Sequence, residues 1–170
     1  FREEIKTAAV ERMIATGNEV DHTVAHQIAI AAIKYTTLRG AVMQDSVFDT
    51  QQALSFEGDS GPYLQYTFAR IQSVLDKAAT AGVTPRTEAS PQTPYELERL
   101  LYRFPEVTAL SLAERSPHHV ARYLTDLAGT FNTFYAQEKI ADASDVHAPY
   151  KAALTKAVAQ TLENGLWVLG

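Results

Sequence analysis

Five apolar residues, Val120, Leu124, Leu127, Phe131 and Phe134, recur at spacings of 4, 3, 4 and 3. At 3.6 residues per turn they line one side of an α-helix, and a stripe of that width belongs to a core. Similar spacing organises most of the chain, whereas alternation of β-branched residues is scarce. Gly and Pro stand mainly at the ends of the periodic runs, where helices begin and stop. The expected fold is all-α, a bundle of helices.

Punctuation divides the chain. A first helix over Glu3 to Ala15 stops at the Gly17-Asn18 breaker. Asp21 can cap a second, whose expected apolar stripe is Val24, Ile28, Ala31 or Ala32, and Tyr35, with Gly40 just beyond its end. The stretch from Ala41 to Ser60 is less regular, with a short helix at Thr50 to Leu54. Pro62 suits the first turn of a helix reaching about Ala81. Gly82 to Thr93 reads as a loop and a candidate boundary. Pro94 opens a helix interrupted near Phe104-Pro105 and ending by Arg115. Ser116-Pro117 supplies a capping hydroxyl and a first-turn proline for the next. Asp142 to His147 is a polar connector, and a last helix from Pro149 is expected to break at Asn164-Gly165.

The segment from Gly61 to Leu75 carries two stripes. Leu64, Phe68, Ile71 and Leu75 make a core face, and Tyr63, Tyr66 and Arg70 repeat one residue earlier. One residue is about 100° around a helix, so the second stripe borders the first. Two phenol rings and a guanidinium on one face suit single-stranded RNA, whose bases stack on aromatic rings and whose phosphates pair with Arg. The plainer alternative makes the tyrosines half-buried packing residues, with Arg70 paired to an acid such as Glu57 or Asp59.

Composition limits the chemistry. Among 170 residues, 46% are hydrophobic and 21% charged, enough apolar material for a real core. Cysteine is absent, which excludes disulfides and thiolate metal sites. No run of about 18 apolar residues occurs, so no membrane-spanning helix is expected. The chain starts at Phe1 with no leader-like segment, which reads as a cut inside a longer protein. The net charge of -5 disfavours binding nucleic acid mainly by neutralising phosphates, and leaves stacking and shape to carry recognition.

Several segments resemble arginyl-tRNA synthetases, in that family's order. They are Ala32-Ile33-Lys34-Tyr35, Val47-Phe48-Asp49, Ala53 to Gly58, and Gly61-Pro62-Tyr63-Leu64-Gln65-Tyr66 with Arg70. Pro117-His118, Tyr123-Leu124, Leu127-Ala128, Phe131-Asn132 and Phe134-Tyr135 are similar to the helical anticodon-binding fold named after its Asp-Ala-Leu-Arg motif, as is Asn164-Gly165-Leu166 with Leu169-Gly170. The motif itself is altered here, to Ser116-Pro117-His118-His119-Val120-Ala121-Arg122. The resemblance implies a class Ia synthetase bundle with a helical junction at 1–57 and an anticodon-binding domain at 58–170. It implies tRNA-Arg as partner, with Tyr63 and Tyr66 on the anticodon loop and Tyr135 and Leu166 framing its middle base, and the stripe adds Arg70 to this expected site. It also implies a cytoplasmic location, and a catalytic domain elsewhere in the intact protein that uses ATP with Mg to ligate arginine to tRNA. A matching domain of another class I synthetase, or a helical protein-interaction module, is the alternative; neither DNA nor membrane is an expected partner.

Neither of the short ATP-holding motifs of class I synthetases, HIGH and KMSKS, occurs here, and Gly58-x-x-Gly61 lacks the continuation of a phosphate loop. No catalytic residue is therefore expected, no cofactor for this chain, and binding without catalysis. His22 and His26 stand four apart near Glu19 but lack a third metal ligand. His118 and His119, being adjacent, are expected to point in different directions.

Overall fold

The computed structural model describes residues 1–17, 19–41, 47–88 and 90–170. Asn18 of the expected breaker, residues 42–46 of the irregular stretch and Ala89 of the expected loop lie outside them. The described residues form seven helices and no strand. These are α1 (Arg2–Ala15), α2 (His22–Leu38), α3 (Thr50–Ala53), α4 (Gly61–Thr80), α5 (Glu96–Glu114), α6 (His118–Gln137) and α7 (Ala148–Leu169).

Two apolar clusters hold them. The smaller joins Ile5, Ala9 and Met13 of α1, Ala25, Ala29 and Ala32 of α2, and Ala53-Leu54. The larger joins α4 to α7 around Leu64, Ile71, Val120, Leu124, Leu127, Phe131, Val158 and Leu162, and includes Tyr35 from α2. All five residues of the expected α6 stripe are buried, and each stabilises the fold by roughly 1.5–3 kcal/mol over an exposed position.

Local signals set most helix starts. Asp21 accepts the Thr23 and Val24 N–H groups at 2.7 and 3.2 Å, and Asp49 accepts that of Gln52 at 3.0 Å. Ser60 caps α4 by accepting the Tyr63 N–H at 3.1 Å while its hydroxyl donates to the Ser55 carbonyl. Beside that cap, Asp59 accepts from Tyr35 Oη and pairs with Arg39 at 2.8 Å, and Tyr35 Oη also meets Thr125 Oγ1 of α6. This network ties α2 to both α4 and α6.

Tertiary packing overrides several expectations. On α2 the buried face is Ala25, Ala29, Ala32 and Tyr35, whereas Val24 is 40% exposed and Ile28 only half-buried. Small alanines let α1 approach closely, so the larger residues move to the flank. Phe68 and Leu75 pack beside the main core without being enclosed, and Val74 and Thr67 take the enclosed positions. Pro105 does not interrupt α5, which runs through it. The ring removes the N–H that Leu101 would bond, and Tyr123 of α6 donates to the neighbouring Leu100 carbonyl at 2.9 Å, holding α5 against its partner. Ser116 does not cap α6: Pro117 is the N-cap, and the Ser116 hydroxyl donates back to the Glu114 carbonyl at 3.1 Å.

Asn164-Gly165 does not end α7 either. Gly165 is buried, and a Cβ there would stand 2.5 Å from Leu124 Cδ2, so this glycine serves close approach of α7 to α6. Nor does the loop after Gly82 divide two cores, because residues on both sides of it belong to the larger cluster.

Candidate nucleic-acid interface

The second stripe of α4 meets α6. Tyr63, Tyr66 and Arg70 repeat along one side of α4, and Asn132 and Tyr135, three residues apart on α6, come up against them. Arg70 Nη1 donates to Asn132 Oδ1 at 2.6 Å and Nη2 to Tyr66 Oη at 3.3 Å. The Asn132 amide nitrogen donates to Tyr63 Oη at 2.9 Å and to Thr67 Oγ1 at 3.4 Å. The guanidinium carbon lies 4.8 Å from the Tyr66 ring centre and 5.8 Å from that of Tyr135.

Arg70 is thus held between two rings by neutral partners. Among the described residues it makes no ion pair with a carboxylate, and the expected acidic partner Asp59 is engaged by Arg39 instead. A guanidinium so placed keeps its charge available while cation–π contact and hydrogen bonds fix its plane. Tyr66 is 47% exposed and Tyr135 39%, so both rings offer surface to a ligand.

The aromatic contacts continue on either side. Tyr135 stacks on Phe131 at 6.2 Å, and Tyr66 lies 6.1 Å from Phe56, over which the Arg12 guanidinium carbon sits at 5.7 Å. Rings and guanidinium groups therefore form a continuous series from α1 across α4 to α6, and its exposed rings, Tyr66 and Tyr135, are surfaces on which unstacked bases can rest.

Leu166 does not join the polar cluster. It lines an apolar groove of about 300 Å³ with Ile28, Phe56, Pro62, Tyr66 and Phe68. Tyr66 belongs to both, so the polar cluster and the groove adjoin along one ring. Leu166 also lines a second groove of about 400 Å³ between α2, α4 and α7, where Gly61 allows contact: a Cβ there would meet the Ala31 carbonyl oxygen at 2.2 Å.

Of the expected site residues, Tyr63, Tyr66, Arg70 and Tyr135 come together and Leu166 sits in the adjoining groove. Sequence reasoning did not single out Asn132 as a site residue, nor Arg12 and Phe56. Asn132 could have been noticed as an amide beside Phe131 on a core helix, three residues before Tyr135.

The histidine expectations change. The rings of His118 and His119 lie together, 4.1 Å apart at 35°, because the first residue of a helix has no preceding turn to restrict its side chain. His119 Nε2 is 2.6 Å from Glu114 Oε2, an arrangement that closes the α5–α6 turn. Among the described residues, no group of three or more His, Asp or Glu side chains could hold a metal ion. Among them, too, no helix is long and apolar enough to cross a membrane.

Comparison with known proteins narrows the meaning of this face. The family described as the DALR anticodon binding domain matches residues 64–170. The arginine–tRNA ligase of Methanospirillum hungatei is 35% identical over 171 residues, covering 98% of this chain and 30% of that protein. That of Pyrococcus furiosus is 32% identical, covering 89% of this chain and 26% of its own length. The chain thus spans under a third of these relatives. The solved arginyl-tRNA synthetase of Thermus thermophilus superposes with a TM-score of 0.86 at 32% identity, over 99% of this chain and 30% of that one. The Plasmodium falciparum enzyme shares the fold, with a TM-score of 0.79 at 24% identity over 99% of this chain and 30% of that one.

Proposed function

We propose, on the premise that the chain belongs to the DALR anticodon-binding domain family, that it binds the anticodon arm of tRNA-Arg. The observation that carries this is Arg70, held between the Tyr66 and Tyr135 rings with no carboxylate to neutralise it. Loop bases stack on the exposed rings, and the guanidinium takes a phosphate or a base edge. Tyr63 supplies a further hydrogen-bonding group, and the groove lined by Leu166 and Tyr66 receives the apolar face of a splayed base, with Tyr135 completing the frame across the ring of Tyr66.

The larger cluster supports 58–170 as the binding domain and the smaller supports 1–57 as its junction, Tyr35 being the residue of the junction that enters the main core. The intact protein is a cytoplasmic arginine–tRNA ligase, in which a catalytic domain adjoining the junction uses ATP and Mg to join arginine to tRNA. The present chain binds without charging.

A titration of the 170-residue chain with tRNA-Arg, tRNA-Cys and an anticodon-mutated tRNA-Arg tests the reading. The first binds tightest, and equal affinity for all three rejects it. Arginine-dependent pyrophosphate exchange, in a preparation free of host synthetase, stays at background.

A further inference from the structure

The hydrogen bonds around Asn132 settle where protons point. A guanidinium has only N–H donors, so the Asn132 atom 2.6 Å from Arg70 Nη1 is the amide oxygen. The amide NH2 then faces Tyr63 Oη at 2.9 Å and the buried Thr67 Oγ1 at 3.4 Å. An NH2 group only donates, so Tyr63 Oη accepts there and its own proton points elsewhere. Arg70 Nη2 imposes the same on Tyr66 Oη at 3.3 Å. Among the described residues, neither phenol has an acceptor for its own proton. Both are accessible to solvent, Tyr66 more than Tyr63.

We infer that Asn132 is a positioning residue that turns this face into a surface of hydrogen-bond donors: the Tyr63 and Tyr66 protons and the remaining Arg70 N–H groups. Such a surface takes groups that accept, namely phosphate oxygens, base carbonyls and unprotonated ring nitrogens, and disfavours exocyclic amino groups. The inference rests on the anticodon-arm reading and narrows it. The bases present their carbonyl or ring-nitrogen edges to Tyr63 and direct their amino groups away.

Asn132→Asp isolates the effect. A carboxylate still accepts from Arg70 but has no N–H, so it accepts from Tyr63 and draws that proton inward. Affinity for an RNA stem-loop of the tRNA-Arg anticodon arm is measured for the wild-type chain, Tyr63→Phe, Asn132→Asp and the double variant, with thermal melts of each. Tyr63→Phe is expected to lower wild-type affinity roughly twofold to tenfold, the worth of one hydrogen bond. In the Asn132→Asp background it leaves affinity unchanged and lowers the melting temperature instead. Equal losses of affinity in both backgrounds, or none in the wild type, overturn the inference alone. A wild type that does not bind the stem-loop overturns the anticodon-arm reading and the inference together. If the Asn132→Asp variant fails to fold, O-methyltyrosine at position 63 replaces it. This residue keeps the oxygen that accepts from Asn132 and carries a methyl group in place of the proton. It must lose as much affinity as Tyr63→Phe while melting like the wild type, and wild-type affinity rejects the inference.

Discussion

Two cations packed near the C-terminal end of α6, Lys151 of α7 and Arg70 of α4, are treated in opposite ways. Lys151, 8% exposed, is saturated: its ammonium lies 2.5 Å from Glu138 Oε2 and 2.7 Å from Asp145 Oδ2. Burial alone would lower its pKa, but the bonds to Asp145 and Glu138 raise it instead, and Lys151 with the His147 N–H holds the Asp145 carboxyl below the usual carboxylate range. Arg70 has an amide, a phenol and two rings, and no carboxylate among the described residues. A cation whose charge is cancelled inside the fold pins helices together. One that is oriented but not cancelled is prepared for an outside anion. The comparison predicts that substitutions at the first cluster act on stability and those at the second on binding.

The largest effect is expected at Lys151. Lys151→Ala leaves two carboxylates facing each other in a half-buried site, and removing one partner of a buried ion pair costs about 3–5 kcal/mol. Denaturant unfolding should show a loss in that range, and a loss below ~1 kcal/mol would reduce the triad to an ordinary surface pair.

Next comes Tyr66→Ala, whose ring is half exposed. Losing one stacked base costs on the order of 1–3 kcal/mol, or roughly tenfold to hundredfold in affinity for tRNA-Arg. Its melting temperature should stay close to wild type, in contrast to Phe131→Ala, where deleting a fully buried ring costs about 3–5 kcal/mol. Equal destabilisation by the two substitutions would make Tyr66 core and remove the contrast.

Acid sharpens the comparison further. A carboxyl whose folded pKa is depressed contributes stability that is present above its unfolded pKa of about 3.9 and lost as pH falls through the folded value. Lys151, raised, contributes stability present below about 10.4 and lost as pH rises through its folded value. The melting-temperature gap between wild type and Asp145→Asn should therefore be flat from about pH 5 to 9 and close below about pH 4. A gap that persists at pH 2 would show that the effect of Asp145 does not come from its charge.

The smallest effect is in the salt dependence. Arg70→Gln should flatten the slope of log affinity against log salt by about 0.7–0.9, the contribution of one neutralised phosphate. An unchanged slope with a lowered melting temperature would place Arg70 with Lys151, among the structural cations.

What the residues determine alone is local: the α6 stripe, the cap at Asp21, and the pairing of Tyr63, Tyr66 and Arg70 on one face. Periodicity and capping act within a few residues, so they are legible wherever nothing distant competes. What only the tertiary structure decided is which signals yield. Pro105 stays inside α5 because α6 holds that helix from outside, and Gly165 stays inside α7 because it is the point where Leu124 presses closest. Val24 gives way to Ala25 and Ala29 because close packing of α1 favours small side chains over hydrophobic ones. Asn132 belongs to the site through Arg70, 62 positions away in the chain. Spacing shows which residues share a helix face, but the partner across the interface, and with it the direction of every proton in the network, exists only once α4 and α6 have packed.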